Sequence, residues 1–310
     1  MEDMFEYLKN FPKYCYEGFE LGDGIKIKKP DNIVVSGMGG SAIPGDILAE
    51  MNLPVPVIVN RSYSLPSFVS RETLVFSISY SGKTKETLSC FREAKRIGAK
   101  IIAISSDGKL SKLAHSLIKI PKGLPPRCAI GYLFFPMLRI LQNSGIINVE
   151  KDMNKLKKWK LGDVEKKAKK IANLFYNRFP LVYSSSCPVA YRMKTQLNEN
   201  SKTIGLAASY PEIFHNEVEG YMVKNAKFAV LILDVENGPF EKKLSGLERI
   251  LKKRGIKYLR LNFRGSKLLN MLKAIWIGDL ATYYLAKKYK VNPIETKEIK
   301  WLKELESRKF

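Results

Sequence analysis

The chemistry-bearing residues of this chain begin with Ser79-Tyr80-Ser81-Gly82-Lys83-Thr84. Three hydroxyls and a glycine stand between an apolar run, Thr73–Ser79, and a helical pattern running from Lys83 to Ile97. A dianionic phosphate suits that place. The first N–H groups of a helix have no partner inside it, its dipole turns a positive end outward, and Gly82 lets backbone come close. The hydroxyls of Ser79, Ser81 and Thr84 can each donate to a different phosphate oxygen. A single serine there would only cap the helix. Two nucleotide-binding patterns fail on spacing: GxxxxGK[ST] is absent, and Gly37-Met38-Gly39-Gly40 runs into Ser41 without a correctly placed third glycine.

The elements that position this loop read as alternating strands and helices. Asn32–Ser36, Val55–Val59, Thr73–Ser79, Lys100–Ser105 and Leu117–Ile120 are short apolar strands, with helices to about Met51, over Lys83–Ile97, near Leu110–His115 and over Cys128–Gln142. Continuous apolar strands separated by helices imply a parallel sheet covered on both faces. The pattern lapses into a polar stretch at Ser144–Lys160, giving two expected domains, 1–150 and 151–310. Alternation resumes with a helix at Val164–Phe175, the strand Leu181–Ser185 and a helix at Val189–Asn200. An irregular segment precedes the strand Phe228–Leu233, and a helix at Phe240–Arg254, the strand Tyr258–Leu261, a long helix at Lys267–Lys288 and a terminal one after Pro293 follow. The halves share a layout of strand, small-residue turn and helix. Ligands of such sheets collect beyond the carboxyl ends of the strands, where both Gly37–Ser41 and Ser79–Thr84 are expected.

Composition narrows the function classes. With 53 Lys+Arg against 30 Asp+Glu, the net charge of +23 would attract nucleic acid or small phosphorylated substrates alike. The lysines are spread along the chain, and the dense run Lys151–Lys170 has nine lysines with little aromatic interleaving. A Lys-rich soluble protein is the expectation, not a nucleic-acid binder. Cys15, Cys90, Cys128 and Cys187 form no CxxC pair, and only His115 and His215 are available, so neither a zinc site nor any other metal is expected. The apolar run Ala129–Leu138 is too short to span a bilayer and is closed by Arg139. A cytoplasmic chain without membrane contact, holding reduced thiols, fits these features.

The phosphate loop resembles that of the sugar-isomerase (SIS) domain, whose signature is S-x-S-G-x-T after a strand. Ser36-Gly37-Met38-Gly39-Gly40-Ser41-Ala42, Pro125-Pro126-Arg127, Leu197-Asn198-Glu199-Asn200 and His215-Asn216-Glu217 follow in order. The whole series resembles the bifunctional phosphoglucose/phosphomannose isomerases of archaea and bacteria, from about residue 30 to the terminal helix. The resemblance implies two SIS-type domains of doubly wound parallel sheet, with a C-terminal helix returning to the active site.

It also implies an aldose–ketose isomerase that interconverts glucose 6-phosphate and fructose 6-phosphate, and accepts mannose 6-phosphate. Glu199, by itself a carboxylate near a helix end, becomes the base that moves a proton between C1 and C2 through a cis-enediol. His215 becomes the group that opens and closes the sugar ring, contributed across the interface of a homodimer; an imidazole suits proton transfer in both directions. Arg127, behind a stiff Pro-Pro lead-in, would stabilise the enediolate. Gly39, Gly40 and Ser41 would contact the sugar. On the terminal helix the resemblance places Lys303, with Thr296 upstream as the residue credited with tolerance of mannose 6-phosphate. This chain departs from the pattern with Asn292 before Pro293, where the family commonly has aspartate, and Lys297 and Lys300 compete for the lysine position. No cofactor enters the scheme. The alternative from another class is a non-catalytic SIS sensor of sugar phosphates, which would lack the glutamate, histidine and arginine set.

Overall fold

The computed structural model describes residues 4–222, 227–236, 238 and 240–307, with backbone only at 306 and 307. The chain divides into two compact units: Glu6–Lys160 with Ser266–Leu269, and Leu161–Gly265 with the described parts of Met1–Phe5 and Asn270–Phe310.

In the first unit, β1 (Asn32–Ser36), β2 (Val57–Asn60), β3 (Thr73–Ile78), β4 (Lys100–Ser105) and β5 (Leu117–Lys119) form a sheet in the order β2-β1-β3-β4-β5. Every neighbouring pair is parallel. β3 is buried along its whole length, which is why it reads as an unbroken apolar run rather than as an alternation. The helices are α1 (Met4–Lys9), α2 (Phe11–Glu20), α3 (Ile43–Ala49), α4 (Lys85–Ile97), α5 (Gly108–Leu113), α6 (Ile130–Asn143) and α7 (Glu150–Leu156). The face of α4 that buries Leu88, Phe91 and Ala94 recurs at helical spacing. Gly98 then ends the helix at φ 83°, its N–H turned back to the carbonyls of Ala94 and Lys95.

Two expectations for this unit are corrected. The stretch before Lys29, to which the sequence pattern assigned no element, contains α1 and α2. Gly18 of α2 lies so close to α6 that a Cβ there would stand 2.5 Å from the Gly131 carbonyl oxygen. The buried positions Phe11, Cys15, Gly18 and Phe19 keep helical spacing, but Pro12 and Gly18 are poor helix formers and mask the element in sequence. The polar stretch Ser144–Lys160, read as patternless, holds α7, which buries Met153 and Leu156 among its lysines.

The second unit carries β6 (Phe179–Ser184), β7 (Leu206–Ser209), β8 (Phe228–Asp234) and β9 (Lys257–Asn262), all parallel, in the order β7-β6-β8-β9. The chain starts second from the edge, steps outward, then crosses to the other side, as in the first sheet. Both are open parallel sheets of the doubly wound order. β7 was expected to be irregular. It is a four-residue edge strand with Leu206 exposed, too short to show a period. The helices are α8 (Leu161–Phe175), α9 (Cys187–Asn200), α10 (Glu241–Lys253), α11 (Lys267–Tyr289) and α12 (Lys297–Ser307).

One polar clamp fixes α9. Buried Arg192 donates through Nε to Asp279 Oδ1 at 3.2 Å and through Nη2 to Oδ2 at 2.6 Å, both aspartate oxygens belonging to α11. Asn200, at the end of α9, donates to Thr282 Oγ1 at 2.9 Å and to Gln196 Oε1 at 3.0 Å. Bidentate geometry and full burial fix the register of α9, because any slip would strand a charge without its partner.

Candidate active site

The order of the first sheet reverses between β1 and β3, and the crevice beyond their carboxyl ends is where such sheets take ligands. The parallel register, Ser36 beside Ser77, brings the two following loops together. Tyr80 N–H donates to Ser41 Oγ at 3.4 Å, tying the Ser79–Thr84 loop to the turn Gly39–Ser41. That turn lies against the backbone of Arg127: a Cβ on Gly40 would stand 3.6 Å from its Cα. Gly39, Gly40, Ser41, Ser79, Ser81, Thr84 and Arg127 thus come from three separate stretches to one end of one sheet.

Within the loop, Ser79 is buried and its Oγ stands 2.9 Å from Thr84 Oγ1. Thr84 occupies the N-cap of α4 in extended conformation without capping it, so the first N–H groups of α4 keep their ligand-binding capacity. Ser81 is exposed and accepts from Lys83 N–H at 3.3 Å. Gly82 has φ 63°, and a Cβ there would fall 1.7 Å from the Asp107 carbonyl oxygen. Only glycine fits both the dihedral and the space.

The loop after β4 is the partner that sequence reading missed. Leu110 N–H donates to the Gly82 carbonyl at 2.9 Å, while Ser106 donates to the Tyr80 carbonyl through N–H at 3.1 Å and Oγ at 2.6 Å. The pair Asp107-Gly108 directly after a buried strand was the available signal, being a turn signature at the same carboxyl edge.

Tyr80 also governs the arginine. Its hydroxyl donates to the Pro121 carbonyl at 3.2 Å and accepts from Leu124 N–H at 2.9 Å, fixing the segment that runs into Pro125-Pro126-Arg127. Burial raises the Tyr80 hydroxyl above its ordinary range and keeps it a neutral donor. Arg127 sits on the short 3-10 turn Pro126–Cys128 and is only 5% exposed, although it is a cation.

In the second unit, Glu199 lies half-buried in the last turn of α9. It lines a cleft of about 730 Å³ together with Thr195, Asn292, Thr296 and Lys297. Lys202, held at φ 56° just past α9, donates through Nζ to the carbonyls of both Glu199 and Glu295. It ties the end of α9 to the segment that leads into α12. The terminal helix therefore starts at the Glu199 cleft, with Thr296 at its head, where its carbonyl accepts from Lys300 N–H at 3.1 Å.

Two candidate residues are not gathered there. His215 is exposed at the end of the 3-10 turn Glu212–His215, outside the lining of that cleft. Its neighbour Phe214 packs near Tyr210 and Phe240, with ring centroids at 5.8 and 6.3 Å. Lys303 is exposed on α12, beyond the lining residues, and among the α12 lysines it is Lys297 that enters the lining. Among the described residues no group of three or more His, Cys, Asp or Glu is placed to hold a metal ion, and no helix is long and apolar enough to cross a membrane.

The two sheet orders and the S-x-S-G-x-T loop at a switch point define a protein of two SIS domains. The SIS domain model matches residues 26–125, and the model of the bacterial phospho-glucose isomerase C-terminal SIS domain matches residues 164–305. The C-terminal domain of glucosamine-fructose-6-phosphate aminotransferase from Francisella tularensis has a similar structure, with TM-score 0.74 and 17% identity, covering 94% of this chain and 98% of that one. At that identity the likeness is one of fold.

Closer relatives are found by sequence. The bifunctional phosphoglucose/phosphomannose isomerase of Caldicellulosiruptor bescii is 34% identical, covering 97% of this chain and 98% of its own. The D-glucosamine-6-phosphate 4-epimerase of Sulfolobus acidocaldarius is 35% identical over a shorter alignment, 71% of this chain and 72% of its own. With near-complete coverage on both sides, the chain belongs to the bifunctional phosphoglucose/phosphomannose isomerase family.

Proposed function

We propose that this chain interconverts glucose 6-phosphate and fructose 6-phosphate, and mannose 6-phosphate and fructose 6-phosphate, through a cis-enediol. The observation that carries the reading is the convergence of the Ser79–Thr84 loop, the Gly39–Ser41 turn and Arg127 at the carboxyl end of β1 and β3. Ser79, Ser81 and Thr84 hold the phosphate against the N-terminus of α4. Glu199 removes the proton from C2 of the open-chain aldose phosphate and returns it to C1, while a hydroxyl proton passes from O2 to O1. Arg127 stabilises the negative charge on the enediolate. Thr296 shares the cleft of Glu199 and contacts the sugar near the reacting carbons. C2 epimers share one base because rotation about C2–C3 offers either face of the enediol.

His215 and Lys303 assist ring opening. His215, exposed and apart from the Glu199 cleft, is contributed across the interface of a homodimer, and Lys303 is brought by the terminal helix. The compartment is the cytoplasm, where sugar phosphates occur and the thiols stay reduced.

A coupled assay with each of the three sugar phosphates, run with and without EDTA, tests the reading. Turnover of fructose 6-phosphate to both aldose phosphates is the expected result. Binding without turnover would instead identify a sugar-phosphate sensor, and reaction at C4 of glucosamine 6-phosphate alone would identify a 4-epimerase. Either outcome overturns the proposal.

A further inference from the structure

The amino ends of the second sheet, opposite the edge at which such sheets take their ligands, form a basic pocket of about 430 Å³. Its lining includes Arg178, Lys227, Lys253, Arg254 and Lys257, and no carboxylate. Strand register builds it. Phe179 pairs with Phe228, so Arg178 and Lys227, each just before its strand, stand side by side; Lys257 opens the next strand opposite Ala229. Lys253 and Arg254 close the pocket from the end of α10.

Among the described residues none of the five cations has an ion-pair partner. Arg178 donates through Nη1 to the carbonyls of Asn173, Leu174 and Tyr176, and Arg254 donates to Met222 Sδ. Glu217, whose field reaches the buried lining residue Tyr221, is not part of the lining. The ends of α8 and α10 each contribute about −0.5 charge, leaving about +4 in the concavity. Lysines at a helix end are ordinary dipole partners. Five cations from three separate segments, at Arg178, Lys227 and 253–257, surround one hollow and exceed what two helix ends can neutralise.

We propose that this pocket binds an oligophosphate, either free or as the tail of a nucleotide. A single phosphate would leave about half of the charge unmatched, whereas a phosphate chain spreads its charge over the row of strand ends. Guanidinium forks at Arg178 and Arg254 suit phosphate oxygens. The volume falls within the range of roughly 300–1,000 Å³ usual for small-ligand pockets. The site is independent of the isomerase reading, since no residue of the candidate active site lines it.

Titration calorimetry of tripolyphosphate and of ATP into the full-length protein, with fructose 6-phosphate saturating, tests the proposal. Binding of one oligophosphate per chain is expected, weakened at least about tenfold, or 1.4 kcal/mol, in Lys253→Glu/Lys257→Glu. The control Lys151→Glu/Lys155→Glu makes the same charge change on α7 and should bind as wild type. Equal affinity for both ligands identifies the phosphate chain as the recognised group, and tighter binding of ATP identifies a nucleotide. Equal loss in both double variants would mean diffuse charge attraction and overturn the site. Failure to bind while fructose 6-phosphate is present, or binding of duplex nucleic acid but neither oligophosphate, would overturn it as well.

Discussion

Replacing Tyr80 by phenylalanine separates holding the phosphate from catalysing its reaction. The ring stays, and with it the packing of the loop; only the hydroxyl is lost. That hydroxyl makes two hydrogen bonds, at 3.2 Å to Pro121 and 2.9 Å from Leu124. Pro121 is exposed and Leu124 half-buried, so water can satisfy part of what is left. The net cost is therefore about 1–3 kcal/mol, not the full penalty of two stranded groups. Its main effect is to release the segment leading into Pro125-Pro126-Arg127 while leaving Ser79, Ser81 and Thr84 in place.

If Arg127 stabilises only the enediolate, the loss falls on kcat. A misalignment worth about 1.4–2.8 kcal/mol lowers it roughly ten- to a hundredfold, with KM changed by less than about threefold. Steady-state kinetics on fructose 6-phosphate, with a melting curve as control, measure this. The melting temperature should fall by about 2–4 °C per kcal/mol lost. A raised KM with kcat intact would refute the reasoning, because Tyr80 would then be supporting the phosphate loop and not the arginine.

Glu199→Gln should lower kcat by about a thousandfold or more while sugar-phosphate binding, measured by calorimetry, stays near wild type; near-normal turnover would remove the general-base role. Gly82→Ala places a methyl 1.7 Å from the Asp107 carbonyl oxygen at φ 63°, so it should cost more than about 2 kcal/mol in urea unfolding and weaken sugar-phosphate binding together. Wild-type behaviour of that variant would show that the two loops do not clasp. Burial raises the Asp46 carboxyl above the usual carboxylate range despite the Arg61 guanidinium beside it. A pKa raised by folding means the protonated form suits the fold better. That contribution is complete below the unfolded value of about 3.9 and is lost as pH rises through the folded one. Asp46→Asn should accordingly raise the melting temperature at pH 7, with the gain vanishing by about pH 3; a lower value at pH 7 would mean that the pair with Arg61 outweighs desolvation.

The sequence by itself determined the layered architecture and marked out the hydroxyl-rich loop Ser79–Thr84. Strands buried on both faces must be continuous apolar runs, and a hydroxyl-rich turn before a helix carries its chemistry in its spacing. It did not reveal α2, whose buried Phe11, Cys15, Gly18 and Phe19 keep helical spacing but share ten residues with the poor helix formers Pro12 and Gly18, or β7, four residues long at an edge and too short to show a period. The tertiary structure alone decided that Ser41, Tyr80 and Arg127 meet at one end of a sheet, since parallel register brings together segments remote in the chain. It alone showed that the loop at Asp107 closes on Gly82 and that Glu199 and Thr296 share a cleft through Lys202. The same register gathered Arg178, Lys227 and Lys257, which in sequence are three among 53 basic residues. Residue type is local information, whereas adjacency across strands is fixed only when the ladder forms.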